Sequence, residues 1–450
     1  MKTASIPTFV INLEKRKERR QHILREFAGR EEFDVTIVKA REHKIGAVGL
    51  WNTIQDIIGN LVDGTEEFIL ICEDDHQFTK DYSSELLFNC ITDAKEMGTD
   101  LLSGGVSWFN NALQVCEHTF WMEQFTGTQF IIIFRHFFKK MLETTFDDQE
   151  TADHKIYTLS EHLFLMYPFI STQKEFGYSD ATSMNNEDHR VELLFKKSID
   201  SVQILKEIDW FYNKKDPKVN IHGGSFDNVF IPTYIINLPE RTERREHIVK
   251  QFSGRTEFDT VIVDACRHEI GAVGLWRSII SIIKMAVDND DDVIVICEDD
   301  HEFTEHYNRE VFIRNIIEAN AQGVDYLSGG TGYFYLAVQV SEHRFWVNPS
   351  SATQFIVIYK RFFDKILNEP YNDNVIADVL LSGMTGNKMV MYPFISRQRD
   401  FGYSDVTPVH NNMPGLVDCL FSESSRKLGM LKDTAWKFCQ KKSLTLDPSK

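Results

Sequence analysis

A chain of 450 residues is too long for one ordinary hydrophobic core and is expected to divide into two or three domains. Its 42% hydrophobic content suits filled cores without approaching a membrane composition, and a formal net charge of −18 excludes general binding to duplex nucleic acid, which depends on neutralised phosphates. Seven cysteines, odd in number and without paired spacing, give no sign of a disulfide framework or a structural zinc site.

The opening residues run straight into a strand and lack the positive segment, apolar core and cleavage site of a secretory signal. No run reaches the roughly 18 apolar residues of a membrane-spanning helix. The expected location is cytoplasmic. The first strand, Ile6-Pro-Thr-Phe-Val-Ile-Asn-Leu13, is followed by a charged helix start carrying Lys15, Arg16, Arg19 and Arg20. A second strand, Val35-Thr-Ile-Val38, precedes a glycine turn, Gly46-Ala-Val-Gly49, and a helix through Trp51. Next comes Phe68-Ile-Leu-Ile-Cys-Glu-Asp-Asp-His76, an apolar run that ends in three carboxylates. A mixed helix and the strand Phe130-Ile-Ile-Ile-Phe134 follow, and then Tyr167-Pro-Phe-Ile-Ser171.

The whole series then recurs. Asn12 matches Asn237, Asp74 matches Asp299 and Tyr167 matches Tyr392, each pair 225 positions apart. A period this long indicates duplication of a complete domain, since solenoid repeats are far shorter. The expected division is a first domain at 1–222, a second at 229–425 and a basic tail at 426–450, joined through the turn chemistry of Lys214 to Asn228. In the second copy Pro239 stands near the expected first helical position. Alternating strand and helix signals predict an α/β fold with a largely parallel sheet in each half.

The acidic strand reads as buried, so its acids fall at the carboxyl end, where open α/β sheets place their ligands. Like charges this close raise one another's pKa, and a divalent cation relieves the repulsion. Oxygen ligands suit Mg²⁺ or Mn²⁺. First and third residues of an extended end share a side, so Glu73 with Asp75, and Glu298 with Asp300, form metal-ligand pairs. The middle acids, Asp74 and Asp299, face another element or a sugar hydroxyl. A solvated acidic loop is the plainer alternative. The basic residues after strand one can reach a diphosphate or form a solvated face with the interleaved glutamates. Trp51 and Trp276 read as core aromatics rather than a sugar platform. His76 and His301 read as hydrogen-bonded or exposed loop residues more than ligands, and Cys72 and Cys297 as small buried side chains.

The order Asn-Leu-x-x-Arg-x-x-Arg-Arg, Gly-Ala-Val-Gly, a strand ending Glu-Asp-Asp, then Tyr-Pro-Phe-Ile-Ser-x-Gln with Ser-Asp beyond, resembles glycosyltransferase family 25, which includes lipopolysaccharide and collagen-type galactosyltransferases. The resemblance holds in both halves. It implies two tandem GT-A-like, Rossmann-related nucleotide-sugar domains, with Mn²⁺ or Mg²⁺ at the acidic motif and a UDP-sugar as donor. Carried onto this sequence, Asn12, Arg16, Arg19 and Asp74, with Asn237, Arg241, Arg244 and Asp299, hold the nucleotide end of the donor. Asp153 and Asp378, or Asp180 and Asp405, supply the base of an inverting transfer, unless they are helix caps or loop acids.

The family continues its glycine segment to Ser-His, whereas here Ser278 is followed by Ile279 and the first copy reads Thr53-Ile54. Ser278 and the more family-like Asn-Leu-Pro-Glu-Arg-Thr-Glu-Arg-Arg favour the second copy if only one works. The function these features imply is metal-dependent transfer of a sugar, galactose by the resemblance, to a glycan or lipid-linked saccharide. The alternatives are a noncatalytic carbohydrate- or nucleotide-binding protein and a nucleotidyltransferase. The basic segment Lys427 to Lys442 either touches an anionic membrane surface peripherally or packs its apolar face on its own domain.

Overall fold

The computed structural model describes residues 5–177, 189–215, 226, 228–351, 353–370, 376–403 and 413–443. The chain forms two compact units, Met1–Lys206 with Ala435–Lys450, and Glu207–Thr434. Each is α/β and is built on one eight-stranded mixed sheet.

In the first unit the strand order is Phe33–Lys39, Ile6–Asn12, Phe68–Glu73, Phe130–Phe134, Leu101–Ser103, Leu163–Met166, Thr119–Met122 and Ala112–Gln114. Six strands run one way; Phe130–Phe134 and Thr119–Met122 run against them. The second unit repeats this order with Phe258–Asp264, Ile231–Asn237, Val293–Glu298, Phe355–Tyr359, Tyr326–Ser328, Lys388–Met391, Arg344–Ser350 and Phe334–Ser341. The register repeats too: Ile11 pairs with Glu73, and Ile236 with Glu298.

Apolar spacing explains the packing. Trp276, Ile279, Ile282, Ile283 and Ala286 line one face of the helix Gly271–Asp288 and bury against Ile294, Ile296, Ile356 and Ile358 of the sheet. Each fully buried isoleucine contributes about 2 kcal/mol. Trp51 and Trp276 are completely buried, so they are core residues, as their setting predicts. Cys72 and Cys297 are buried as well, with burial first and the adjacent acids second pushing their thiol pKa values well up.

Two details differ from the expectations drawn from the sequence. The helix after strand one in the second unit starts at Thr242, so Pro239 lies in the preceding turn and not at a first helical position. The Gly46 segment is itself helical, over Gly46–Asp56, and its second glycine serves close packing: a Cβ on Gly49 would stand 2.5 Å from the Arg41 carbonyl oxygen. Gly274 meets the Cys266 carbonyl at the same 2.5 Å.

The helix Leu416–Ser443 ends the described chain. It buries Leu428, Leu431 and Phe438, and from Ala435 onward it belongs to the first unit, where Phe438 packs edge-on against Phe164 (5.2 Å between ring centroids). Among the described residues no helix is long and apolar enough to cross a membrane.

Candidate functional site

Parallel pairing of strand one with the acidic strand sets the site. Because Ile11 lies beside Glu73, the next residues, Asn12 at the end of strand one and Asp74 just past the acidic strand, come side by side. Asn12 Nδ2 donates to Asp74 Oδ2 (2.8 Å). A turn in which Arg16 N donates to the Leu13 carbonyl (2.8 Å) starts the helix Lys17–Phe27, and this brings Arg19 beneath the acids. Arg19 Nη1 donates to Asp74 Oδ1 (3.2 Å) and to Asp75 Oδ2 (3.0 Å), and Arg16 stands 3.8 Å from Asp74. Arg19 and Asp74 are both only 4% exposed. The middle acid is thus a buried anchor for strand one and its helix. The second unit repeats this: Asn237 reaches Asp299 at 2.8 Å, and Arg244 Nη1 reaches Asp299 at 3.1 Å and Asp300 at 3.2 Å. Arg241 lies over the Tyr403 ring, 5.3 Å from its centroid, and Arg244 Nη2 donates to the Tyr403 carbonyl (2.8 Å).

The outer acids have different surroundings. Antiparallel pairing places Phe130 opposite Cys72 and brings Glu73 N to the Gln129 carbonyl (3.1 Å), and Thr128, one residue before, donates its hydroxyl to Glu73 Oε1 (2.6 Å). Thr353 does the same for Glu298 (2.7 Å). Burial, then the charge of Asp75, pushes Glu73 up to about 8; burial, partly offset by Arg19, pushes Asp75 up to about 6. Glu298 and Asp300 follow suit, to about 8 and about 6, Arg244 taking the place of Arg19. Asp75 Oδ1 and Asp300 Oδ1 are buried and have no hydrogen-bond partner among the described residues.

In the first unit two adjoining hollows meet at these acids. One, of about 370 Å³, is lined by Lys15, Arg16, Asp74 and the loop Arg41 to Lys44. The other, of about 300 Å³, is lined by Thr128, Asp153, Gln173, Lys174 and Phe176. Arg19, Leu50, Glu73 and Asp75 border both. Asp153 lies in the first turn of the helix Ala152–Leu159; its Oδ2 accepts from Gly127 N (3.1 Å), and Thr151 Oγ1 donates to its Oδ1. Asp378 takes the matching place in the helix Ala377–Met384, where its Oδ1 accepts from Val379 N (2.8 Å). Asp180 and Asp405 lie outside the described residues.

Among the described residues no group of three or more His, Cys, Asp and Glu side chains is arranged to hold a metal ion. The two carboxylates of each pair nevertheless suit a cation that completes its shell with phosphate oxygens and water, and the bare Asp75 Oδ1 is an available ligand atom. The histidines take no part. His76 is fully buried, its Nδ1 hydrogen-bonded with Ser171 Oγ (2.8 Å), and His301 pairs with Ser396 in the same way (2.7 Å).

Sequence reasoning did not single out the loop Arg41 to Lys44. That loop leaves the end of a strand adjacent to strand one, so its nearness to the acids follows from strand order, which no local motif encodes. The Thr53 and Ser278 hydroxyls also turn out to be equivalent. Thr53 Oγ1 donates to the Gly49 carbonyl (2.6 Å) and accepts from Arg41 N (2.9 Å); Ser278 Oγ donates to the Gly274 carbonyl (2.8 Å) and accepts from Cys266 N (2.8 Å). Retention of Ser278 therefore does not set the second copy apart.

No family model matches the chain, and no curated protein matches it. Among solved structures it is similar to A197 from STIV (15% identity, 38% of this chain and 86% of that one, TM-score 0.26). It is also similar to apo UDP-glucose pyrophosphorylase (10% identity, 43% and 82%, TM-score 0.27). A third likeness is to the apo glycosyltransferase GlyE of Streptococcus pneumoniae TIGR4 (9% identity, 71% and 100%, TM-score 0.21). Scores this low say nothing of activity.

Proposed function

We propose that the chain is a nucleotide-sugar-dependent glycosyltransferase that takes a UDP-sugar as donor and a glycan or lipid-linked saccharide as acceptor. The observation that carries this reading is the position of Asp75. Asp75 borders both a basic hollow and a hollow that holds a second carboxylate, Asp153, and its buried Oδ1 has no hydrogen-bond partner among the described residues.

Lys15, Arg16 and the Arg41 to Lys44 loop hold the diphosphate, and Asp74 keeps Asn12 and Arg19 in place beneath it. Glu73 and Asp75 hold Mg²⁺ or Mn²⁺, which when bound supplies positive charge to the leaving diphosphate. The acceptor hydroxyl attacks the anomeric carbon from the second hollow. As the new C–O bond forms, Asp153 takes the hydroxyl proton and the electron pair of the breaking C–O bond passes to the phosphate oxygen. Arg16 and Arg19 favour this charge more in the transition state than in the ground state.

The test is release of nucleoside diphosphate from a panel of nucleotide sugars, with and without Mn²⁺, by the intact chain, Asp75→Ala, Asp300→Ala and the double variant. Mn²⁺-dependent release with free sugar, lowered about 10²-fold by an acid-to-alanine change, is expected. Pyrophosphate release from a nucleoside triphosphate and a sugar phosphate would instead make the protein a nucleotidyltransferase. Binding without either product would make it a noncatalytic binding protein.

A further inference from the structure

The two units share their acids, arginines and register, but the surface around the acids does not carry the same charge. In the first unit the rim of the basic hollow presents Lys15 and Lys44, both exposed, with Arg41 and Glu42 between. At the matching positions the second unit has Glu240 and Glu269, with Cys266 and Arg267 between. Strand two ends in Lys39 in the first unit and in Asp264 in the second. Pairing does not reverse the contrast. Lys39 is matched by Glu14 (2.6 Å) and Arg41 by Asp56, while in the second unit the rim's Arg267 is spent on Glu240 (2.7 Å). Arg241, the counterpart of Arg16, is stacked over Tyr403.

A diphosphate brings about two negative charges to a site that already holds three carboxylates. A cleft rim of positive sign raises the local concentration of such an anion, and one of negative sign lowers it. We infer that the two units are not equivalent: the first unit is the one that binds the nucleoside diphosphate of the donor, and the second keeps the buried acid and arginine frame behind a rim that repels it. The inference rests on the donor reading above and deepens it by assigning the donor to Lys15, Lys44 and the Arg41 loop.

The experiment is calorimetric titration of the intact chain with UDP in the presence of Mn²⁺. One UDP per chain is expected. Lys15→Glu with Lys44→Glu should weaken binding about tenfold, and more at low salt, because the charges are exposed and screened. Glu240→Lys with Glu269→Lys should leave that event intact and add a second. These four positions lie on the surface, so unchanged melting temperatures verify that the variants fold. Two equal sites in the unaltered chain, or a single site that survives the lysine reversals and is lost in Asp300→Ala, would overturn the assignment while leaving the donor reading standing. Absence of UDP binding in every variant, with or without Mn²⁺, would overturn the donor reading and this inference together.

Discussion

Arg19 serves a buried acid, Asp74, and a partly buried one, Asp75, at once, and its removal is costly for that reason. Without it, Asp74 keeps Asn12 and the more distant Arg16 among the described residues, and Asp75 loses the guanidinium hydrogen-bonded to its Oδ2. Removing one partner of a buried pair costs about 3–5 kcal/mol, so Arg19→Met should lower the unfolding free energy of the first unit by that amount, read by urea denaturation. Asn12→Ala, which removes the side-chain hydrogen bonds to Asp74 and to the Arg16 carbonyl, should cost about 1–3 kcal/mol. The outer acids tie stability to pH. Glu73 is raised from 4.5 to about 8 and Asp75 from 3.8 to about 6. The folded chain therefore holds protons that the unfolded chain has released. That stabilisation is complete below the unfolded values and is lost as pH rises through about 6 and then about 8. Melting in EDTA should accordingly show these acids lowering the melting temperature from pH 5 to pH 8. Added Mn²⁺ should raise it by an increment that grows over the same range, and Glu73→Gln with Glu298→Gln should flatten the upper part of the slope.

At the level of the element, the start of the helix Gly46–Asp56 is held against the Arg41 loop by a missing side chain and a bridging hydroxyl. Ala at position 49 would set a methyl 2.5 Å from a backbone oxygen that cannot rotate away. Overpacking of this kind costs about 1–3 kcal/mol, and relief by retreat of the Arg41 to Lys44 loop would also loosen the basic hollow. Gly49→Ala should therefore lower both the melting temperature and the affinity for UDP. Gly59→Ala is the control: its Cβ would find only Leu142, at 3.5 Å, and alanine there should be neutral or add about 0.5 kcal/mol. The strand that ends in acids was plain in the sequence because burial on both faces needs an unbroken apolar run. The strand stops at Glu73, and Asp74 and Asp75 stand in the turn that follows, so the pleat does not set which way these two acids face. The direction of Phe130–Phe134 was not plain. Five apolar residues read alike in either sense, and the direction is set by the short strands Trp108–Phe109, Ala112–Gln114, Thr119–Met122 and Phe125–Thr126, which bring the chain back without a crossover helix.

For the whole molecule, the constant offset of 225 residues made the repeated strand order legible, because a repeated register needs the same spacing in both halves. Composition could not say which sheet the last helix would serve. Its buried positions, Leu428, Leu431 and Phe438, have ordinary helical spacing, and spacing names a face but not a partner. The structure assigns Ala435 onward to the first unit, more than two hundred residues earlier in the chain, so that unit depends on residues that a cut after position 222 would remove. Phe438 is 6% exposed and lies 5.2 Å from Phe164 and 5.5 Å from His162. Its truncation should cost about 3 kcal/mol. The loss should fall on one unit: in Phe438→Ala, amide hydrogen exchange should accelerate along Leu163–Met166 and stay unchanged along the matching strand Lys388–Met391. Equal acceleration in both strands would mean that the two sheets unfold as a single cooperative block. Acceleration in the first alone would mean that each sheet holds its own stability, with the final turns of the chain acting as the first unit's missing layer.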